Sequence, residues 1–131
     1  MSDNTLQRAE RLRSLKAIRR LFTDGRGGFV YPFRYMMFLE ELNAEASSAD
    51  RGVEVMFSVP KKFHKRANKR NLLKRRMREA YRLNREALRV KLEENGKCID
   101  LALVYSTKDI LSYKTIENAV QRILQKVCER L

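Results

Sequence analysis

The sequence predicts an α+β fold, a small, mostly antiparallel sheet packed with three helices in the order α-β-β-α-β-α. Three patterns carry that reading. Apolar side chains alternate at period two over residues 33–42 and 53–59, recur at helical spacing over residues 67–92 and 112–127, and run almost unbroken over residues 99–105. The chain has 131 residues, 44% of them apolar, so it has the length of one domain and enough apolar surface to fold without disulfides or zinc. Residues 1–131 read as a single domain, the first ten residues as a flexible N-terminal tail.

The elements follow in order. Ser14 can cap a short helix through about Phe22, with Leu15, Ile18 and Phe22 at helical spacing and Leu12 just before it. Asp24-Gly25 ends this helix, and Gly25 is expected to take the left-handed conformation common at helix stops. Gly25-Arg26-Gly27-Gly28 reads as a flexible turn; it lacks the preceding strand and the closing Gly-Lys-Ser/Thr of a phosphate-cradling loop. The next strand sorts Phe33, Tyr35, Met37 and Leu39 to one face and Arg34, Met36 and Phe38 to the other. A polar loop over residues 43–52 leads to a strand with Val53, Val55, Phe57 and Val59 on one face, stopped by Pro60, and the two strands are expected to form an antiparallel hairpin. From about residue 67 the chain is helical, with no Gly or Pro before Gly96. Ile99–Tyr105 suits a strand covered on both faces. Ser112 can cap a last helix bearing Ile116, Val120, Ile123 and Val127. Cys98 and Cys128 are too few and too far apart for a disulfide framework or a metal knuckle, and read as core thiols.

Charge narrows the class of function. The net charge is +13, and residues 61–91 alone hold fourteen basic against two acidic side chains; residues 8–26 add seven against two. Such concentration implies a polyanionic partner. No apolar run is long enough for a membrane span and the first residues are no signal peptide, so a cytoplasmic protein without membrane association is expected. On the long helix, Leu73, Met77, Ala80, Tyr81, Leu88 and Leu92 form an apolar stripe expected to face the sheet. Asn71, Arg75, Arg78, Arg82, Arg85 and Arg89 form a second stripe about 130° away, with Glu79 and Glu86 off its line. A one-sign ladder is unfavourable at every i,i+3 or i,i+4 step, so it points to phosphates that relieve it. The segment Lys61-Lys62-Phe63-His64-Lys65-Arg66 adds cations at the helix start. His64, the only histidine, has no carboxylate or cysteine near it in sequence, which fits a neutral or RNA-contacting side chain better than an acid–base group. A second surface is suggested where the basic first helix (Arg13, Lys16, Arg19, Arg20) adjoins the first strand. Ile18, Phe22, Arg34, Met36 and Phe38 could there line a groove for an extended strand.

Across residues 61–84 the pattern Lys-Lys-(x)4-Ala-(x)2-Arg-Asn-(x)2-Lys-Arg-(x)2-Arg-Glu-(x)2-Arg-Leu resembles the signature of the bacterial ribonuclease P protein component. It comprises Lys61, Lys62, Ala67, Arg70, Asn71, Lys74, Arg75, Arg78, Glu79, Arg82 and Leu83. Weaker similarity extends over about residues 8–130, including Glu10-Arg11-Leu12-Arg13 and Asp24-Gly25. The resemblance implies a ribosomal S5 domain 2-like fold with a left-handed strand–helix–strand crossover, against the usual preference. It also implies a catalytic RNA subunit as cofactor, with Mg2+ bound mainly by that RNA, and removal of 5′ leaders from precursor tRNA by hydrolysis. Lys61, Lys62, Lys65, Arg66, Lys69, Arg70, Asn71, Lys74, Arg75, Arg78 and Arg82 would then bind the catalytic RNA. Ile18, Phe22, Arg34 and Met36 would line the leader cleft. No residue of the chain is expected to be catalytic or a metal ligand, and no protein partner is required.

Two departures bear on this expectation. The family's Arg-Asn-Arg triplet reads Arg70-Asn71-Leu72, a lost cation for which Lys69 or Arg76 can stand in. Ile18 and Met36 replace aromatics common in the family, so stacking worth about 1–3 kcal/mol per base is reduced. The competing readings are a structural RNA-binding protein of a ribosomal type with no role in tRNA processing, and a protein-only nuclease. The second would need a carboxylate cluster that the scattered acidic residues do not offer.

Overall fold

In the computed structural model, described over residues 15–41 and 53–131, eight elements follow one another. They are α1 (Leu15–Asp24), β1 (Arg26–Val30), β2 (Phe33–Glu41), β3 (Val53–Ser58), α2 (Ala67–Asn84), α3 (Glu86–Asn95), β4 (Lys97–Tyr105) and α4 (Tyr113–Glu129). The expected tail over residues 1–10, the cap at Ser14 with Leu12 and Arg13 before it, and the loop over residues 43–52 lie outside the described residues.

The period-two alternation does the sorting it predicts. Phe33, Tyr35 and Met37 of β2 are buried with Val53, Val55, Ile99, Leu101, Leu103 and Tyr105 on one face of the sheet. Leu73, Met77, Ala80, Tyr81, Leu88 and Leu92 cover that face together with Ile116, Val120, Ile123 and Val127 of α4. Each large side chain so enclosed contributes about 1.5–3 kcal/mol of hydrophobic stabilisation. On the opposite face, Met36, Phe38, Met56 and Ala102 meet Ala17, Ile18 and Leu21 of α1 in a much smaller core. β4 is sandwiched between the two, the physical reason for its nearly unbroken apolar run. Ser112 caps α4 as expected, its Oγ accepting from the Thr115 N–H at 3.3 Å. Both cysteines are free and half-buried.

Four expectations are corrected. The glycine run is not a flexible turn but the edge strand β1, antiparallel to β2 with Gly27 opposite Met36 and Gly28 opposite Tyr35. A Cβ at Gly28 would stand 2.5 Å from the Tyr35 hydroxyl, against a buried ring, so glycine is demanded there; one at Gly27 would lie 2.6 Å from Met36 Sδ, the end of a side chain that can shift. Gly25 is not left-handed, because among the described glycines only Gly96 has positive φ, at 62°, where it caps α3. Gly25 is needed because a Cβ there would lie 2.3 Å from the Leu21 carbonyl oxygen and 2.8 Å from that of Met37.

The expected hairpin does not form. The strand order is β1-β2-β4-β3, with β4 antiparallel to β2 and parallel to β3, so the most apolar strand takes the doubly covered position. The long helix is broken at Arg85 into α2 and α3, giving four helices rather than three. Asn84 marks the break, its amide donating to the Ala80 carbonyl at 2.7 Å and to Glu117 of α4 at 3.2 Å. The apolar stripe accordingly packs on α4 as well as on the sheet.

Candidate nucleic-acid interface

The basic surface is built on the segment that joins β3 to α2. Pro60 starts a tight turn, its carbonyl accepting from the N–H groups of Phe63 and His64 at 3.1 and 3.3 Å. His64 is only 6% exposed; its Nε2–H donates to the Thr107 carbonyl at 2.8 Å and its ring lies 5.6 Å from that of Tyr105. It is an internal strut, which excludes the RNA-contacting role. Arg70 Nη1 donates to the carbonyls of His64 and Lys65 at 3.0 and 2.8 Å, holding the lead-in segment against the helix. Arg76 Nη1 donates to the Leu111 carbonyl at 2.5 Å, so it ties down the β4–α4 loop and does not replace the cation lost at Leu72; Lys69 stays exposed. Tyr105 completes this loop, donating its hydroxyl to the Asp109 carbonyl at 2.6 Å and accepting from the Leu111 N–H at 3.1 Å.

With those side chains committed inward, Lys61, Lys62, Lys65, Arg66, Lys69, Asn71, Arg75 and Arg78 remain exposed, and Lys74 and Arg70 half-buried. The predicted cations of the lead-in segment and roughly the first three turns of α2 thus stay largely exposed, with Asn71, Arg75 and Arg78 on one flank of the helix and Lys69 on the other. Arg66 precedes the helix in an extended conformation, φ −83° and ψ 129°, and gives it no side-chain cap, so the α2 N-terminus adds its positive end to that surface.

The rest of the arginine ridge is a correction. Arg82 grips Glu79 with Nη2 2.5 Å from Oε2 and Nε 3.2 Å from Oε1, and its side chain is 19% exposed. Glu79 is thus not off the line, because an i,i+3 carboxylate reaches what a wheel projection sets apart. Arg85 is 4% exposed at the helix break, and Arg89 lies 3.8 Å from Glu86. Burial pushes the Tyr113 phenol up, and the carboxylates of Glu117 and Glu79 push the same way against an opposing pull from Arg82.

A second surface lies on the other side of the sheet. Ile18 and Met36 are half-buried in the small core, whereas Phe22 is 46% exposed and Arg34 exposed. The strand register adds two residues that the sequence reading missed. Phe29, 59% exposed, stands opposite Arg34 on β1, and Val104 stands opposite it on β4. Phe29, Arg34 and Val104 make an open row across three strands beside the row that α1 covers, Met36, Ala102 and Met56. Reading Gly27-Gly28 as strand would have exposed this signal. Phe38 is not part of the open row, for the Arg20 guanidinium lies 4.5 Å from its ring centroid. Arg20 Nη2 also stands 2.9 Å from Glu40 Oε1 and 3.2 Å from Asp100 Oδ2, with Nη1 3.3 Å from Glu40 Oε2. Burial pushes the nearby Cys98 thiol up, with further contributions from Glu40, Asp100 and Glu54. Among the described residues no three His, Cys, Asp or Glu side chains converge as metal ligands, and no helix is long and apolar enough to cross a membrane.

Comparison with known proteins bears on both surfaces. A family profile described as Ribonuclease P matches residues 6–128. The ribonuclease P protein component of Porphyromonas gingivalis strain W83 is 34% identical over 122 residues, covering 93% of this chain and 85% of its own. That of Chlorobium phaeobacteroides is 29% identical over 132 residues, covering 95% and 88%. Among solved structures, the Staphylococcus aureus RNase P protein superposes with a TM-score of 0.66 at 18% identity, over 90% of this chain and 94% of that one. The Thermotoga maritima RNase P protein gives 0.64 at 20%, over 89% and 96%. At these identities the two structures speak for the fold.

Proposed function

The chain belongs to the ribonuclease P protein family, and on that premise we propose that its two surfaces have separate tasks. The lead-in segment and the first turns of α2 dock on the enzyme's RNA subunit, and the α1 flank with the open strand row holds the 5′ leader of precursor tRNA. The chain is the protein subunit of the endoribonuclease ribonuclease P, which acts in tRNA processing, and family membership entails an RNA subunit as its partner.

The observation that supports the division is the contrast between the surfaces. The α2 surface offers guanidinium and ammonium groups with their internal carbonyl acceptors already assigned to Arg70 and Arg76, leaving Lys69, Arg75 and Arg78 for phosphates. The α1 flank carries exposed Phe22, and the open strand row carries exposed Phe29 beside Arg34, so aromatic faces accompany cations there, a chemistry suited to unpaired bases on a single phosphate backbone. The charged groups exposed on α2 are cations, and among the described residues no three His, Cys, Asp or Glu side chains converge, so the surface does not fit a magnesium ion, which takes oxygen ligands. Any magnesium the hydrolysis uses would have to be held by the RNA; this chain neutralises phosphates, orients the leader and raises substrate affinity. A ribosomal-type structural role is not favoured, because it gives the α1 flank no occupant.

The test is precursor-tRNA cleavage at low magnesium with RNA alone, protein alone and both. Strong stimulation by the protein, with no cleavage by the protein alone, is expected; absence of stimulation sinks the reading. Phe22→Ala should weaken affinity for precursor tRNA by about 5- to 150-fold, the worth of one stack, and leave mature tRNA unaffected. Equal loss for both would remove the leader from this cleft.

A further inference from the structure

We propose that Arg20 is the positioning residue of the leader cleft. Its guanidinium pins α1 to β2 and β4 through Glu40 and Asp100, and so fixes where Ile18 and Phe22 stand beside the floor. The inference rests on the reading above, in which that cleft holds the leader.

α1 needs such a device. Its described part has ten residues, too few to be stable as an isolated helix. Among them Leu21 is the one fully buried side chain, set with half-buried Ala17 and Ile18 against the small core of Met36, Phe38, Met56 and Ala102. So small an apolar contact fixes a helix's distance from a sheet better than its rotation. On a projection of about 100° per residue, Arg20 and Phe22 lie on opposite flanks of Leu21, so a restraint on one flank sets the height of the other.

Arg20 supplies that restraint from three directions. It reaches Glu40 at 2.9 and 3.3 Å on β2, Asp100 at 3.2 Å on β4, and stands over Phe38 with its central carbon 4.5 Å from the ring centroid. The Asp100 side chain is 12% exposed, so this arm is weakly screened by salt. A planar fork can address two carboxylates and an aromatic face at once; a lysine ammonium, a point charge, cannot. Thr23 and Lys16 of α1, by contrast, are exposed.

The experiment uses reconstituted holoenzyme and measures affinity for precursor tRNA, for mature tRNA and for the RNA subunit. R20A should lower precursor affinity about tenfold and leave the other two unchanged, since only the leader-facing flank is displaced. R20K should recover part of the loss. The double variant E40Q/D100N, which keeps Arg20 and removes its anchors, should reproduce the loss. A pure stability defect would not move the precursor-to-mature ratio, and if R20A fails to fold, R20K and E40Q/D100N decide the matter. Stronger leader binding by E40Q/D100N would overturn the proposal, because it would make Arg20 a direct phosphate contact held back by the carboxylates. Normal leader binding by R20A alongside a defect in F22A would overturn the clamp and leave the cleft standing. Normal binding by both variants would overturn the clamp together with the cleft.

Discussion

Residues 61–78 and residues 82–89 carry the same kind of side chain at similar spacing, yet the fold treats them in opposite ways. In the first region Arg75 and Arg78 stand exposed, with Lys61, Lys62, Lys65, Arg66 and Lys69 beside them. In the second, Arg82 grips Glu79 and Arg85 is buried at the helix break, while Arg89 stays exposed with Glu86 3.8 Å away. Charge density along a sequence therefore measures supply, not availability. A carboxylate three residues upstream sets Arg82 and Arg89 apart from Arg75 and Arg78, and the helix break sets Arg85 apart.

That contrast can be tested at several points. The largest effect is expected at Arg85, whose replacement by alanine removes a buried charge and its stem and should cost about 3 kcal/mol of stability, read as a lower urea midpoint. Binding of the RNA subunit by the folded fraction should keep its salt dependence. Parent-like stability with a shallower salt slope would place Arg85 on the RNA and erase the distinction. Arg75→Ala with Arg78→Ala should do the reverse. Stability should hold, while the slope of log affinity against log salt falls by about two, one per lost phosphate contact. An unchanged slope would take both off the interface.

Glu79→Gln offers a finer probe. It should release Arg82 at a cost of a few tenths of a kcal/mol to the helix and steepen the salt slope by up to about one. No steepening would mean that Arg82 stays off the RNA even without Glu79. The smallest effect belongs to the packed side of the molecule. Burial raises the proton affinity of Cys98, Cys128, Tyr105 and Tyr113 above the ordinary 9.0 of a thiol and 10.0 of a phenol. The folded state then holds these protons more tightly than the unfolded chain. Their contribution is complete below the unfolded values and is lost as pH climbs through them. Thermal unfolding midpoints should fall modestly above about pH 9, and a rise there would contradict the assignment.

Much of this was legible in the sequence because it depends on local period. The alternation of Phe33, Tyr35 and Met37, the stripe from Leu73 to Leu92, the cap at Ser112 and the double cover of Ile99–Tyr105 are all where periodicity puts them. The failures are non-local. Gly27 and Gly28 have poor strand propensity, and only the Tyr35 ring and Met36 sulfur across from them explain the strand. Because that strand was unread, Phe29 escaped the site. Strand order depends on which partner covers β4, which no local pattern encodes, so the hairpin of β2 and β3 was expected in error. The commitments of Arg70 and Arg76 to backbone carbonyls were likewise invisible, since a carbonyl acceptor leaves no mark on residue identity.

The place of β4 has a consequence for synthesis. Both β2 and β3 leave the ribosome well before their shared neighbour, and Asp100 and Ala102, which receive α1, come later than the whole of α2 and α3. In a nascent chain shorter than about Tyr105, α2 and α3 have been made but the strand that joins β2 to β3 is incomplete. The leader groove, which draws on Asp100 and Ala102, can therefore be completed only after the whole cationic segment has been synthesised.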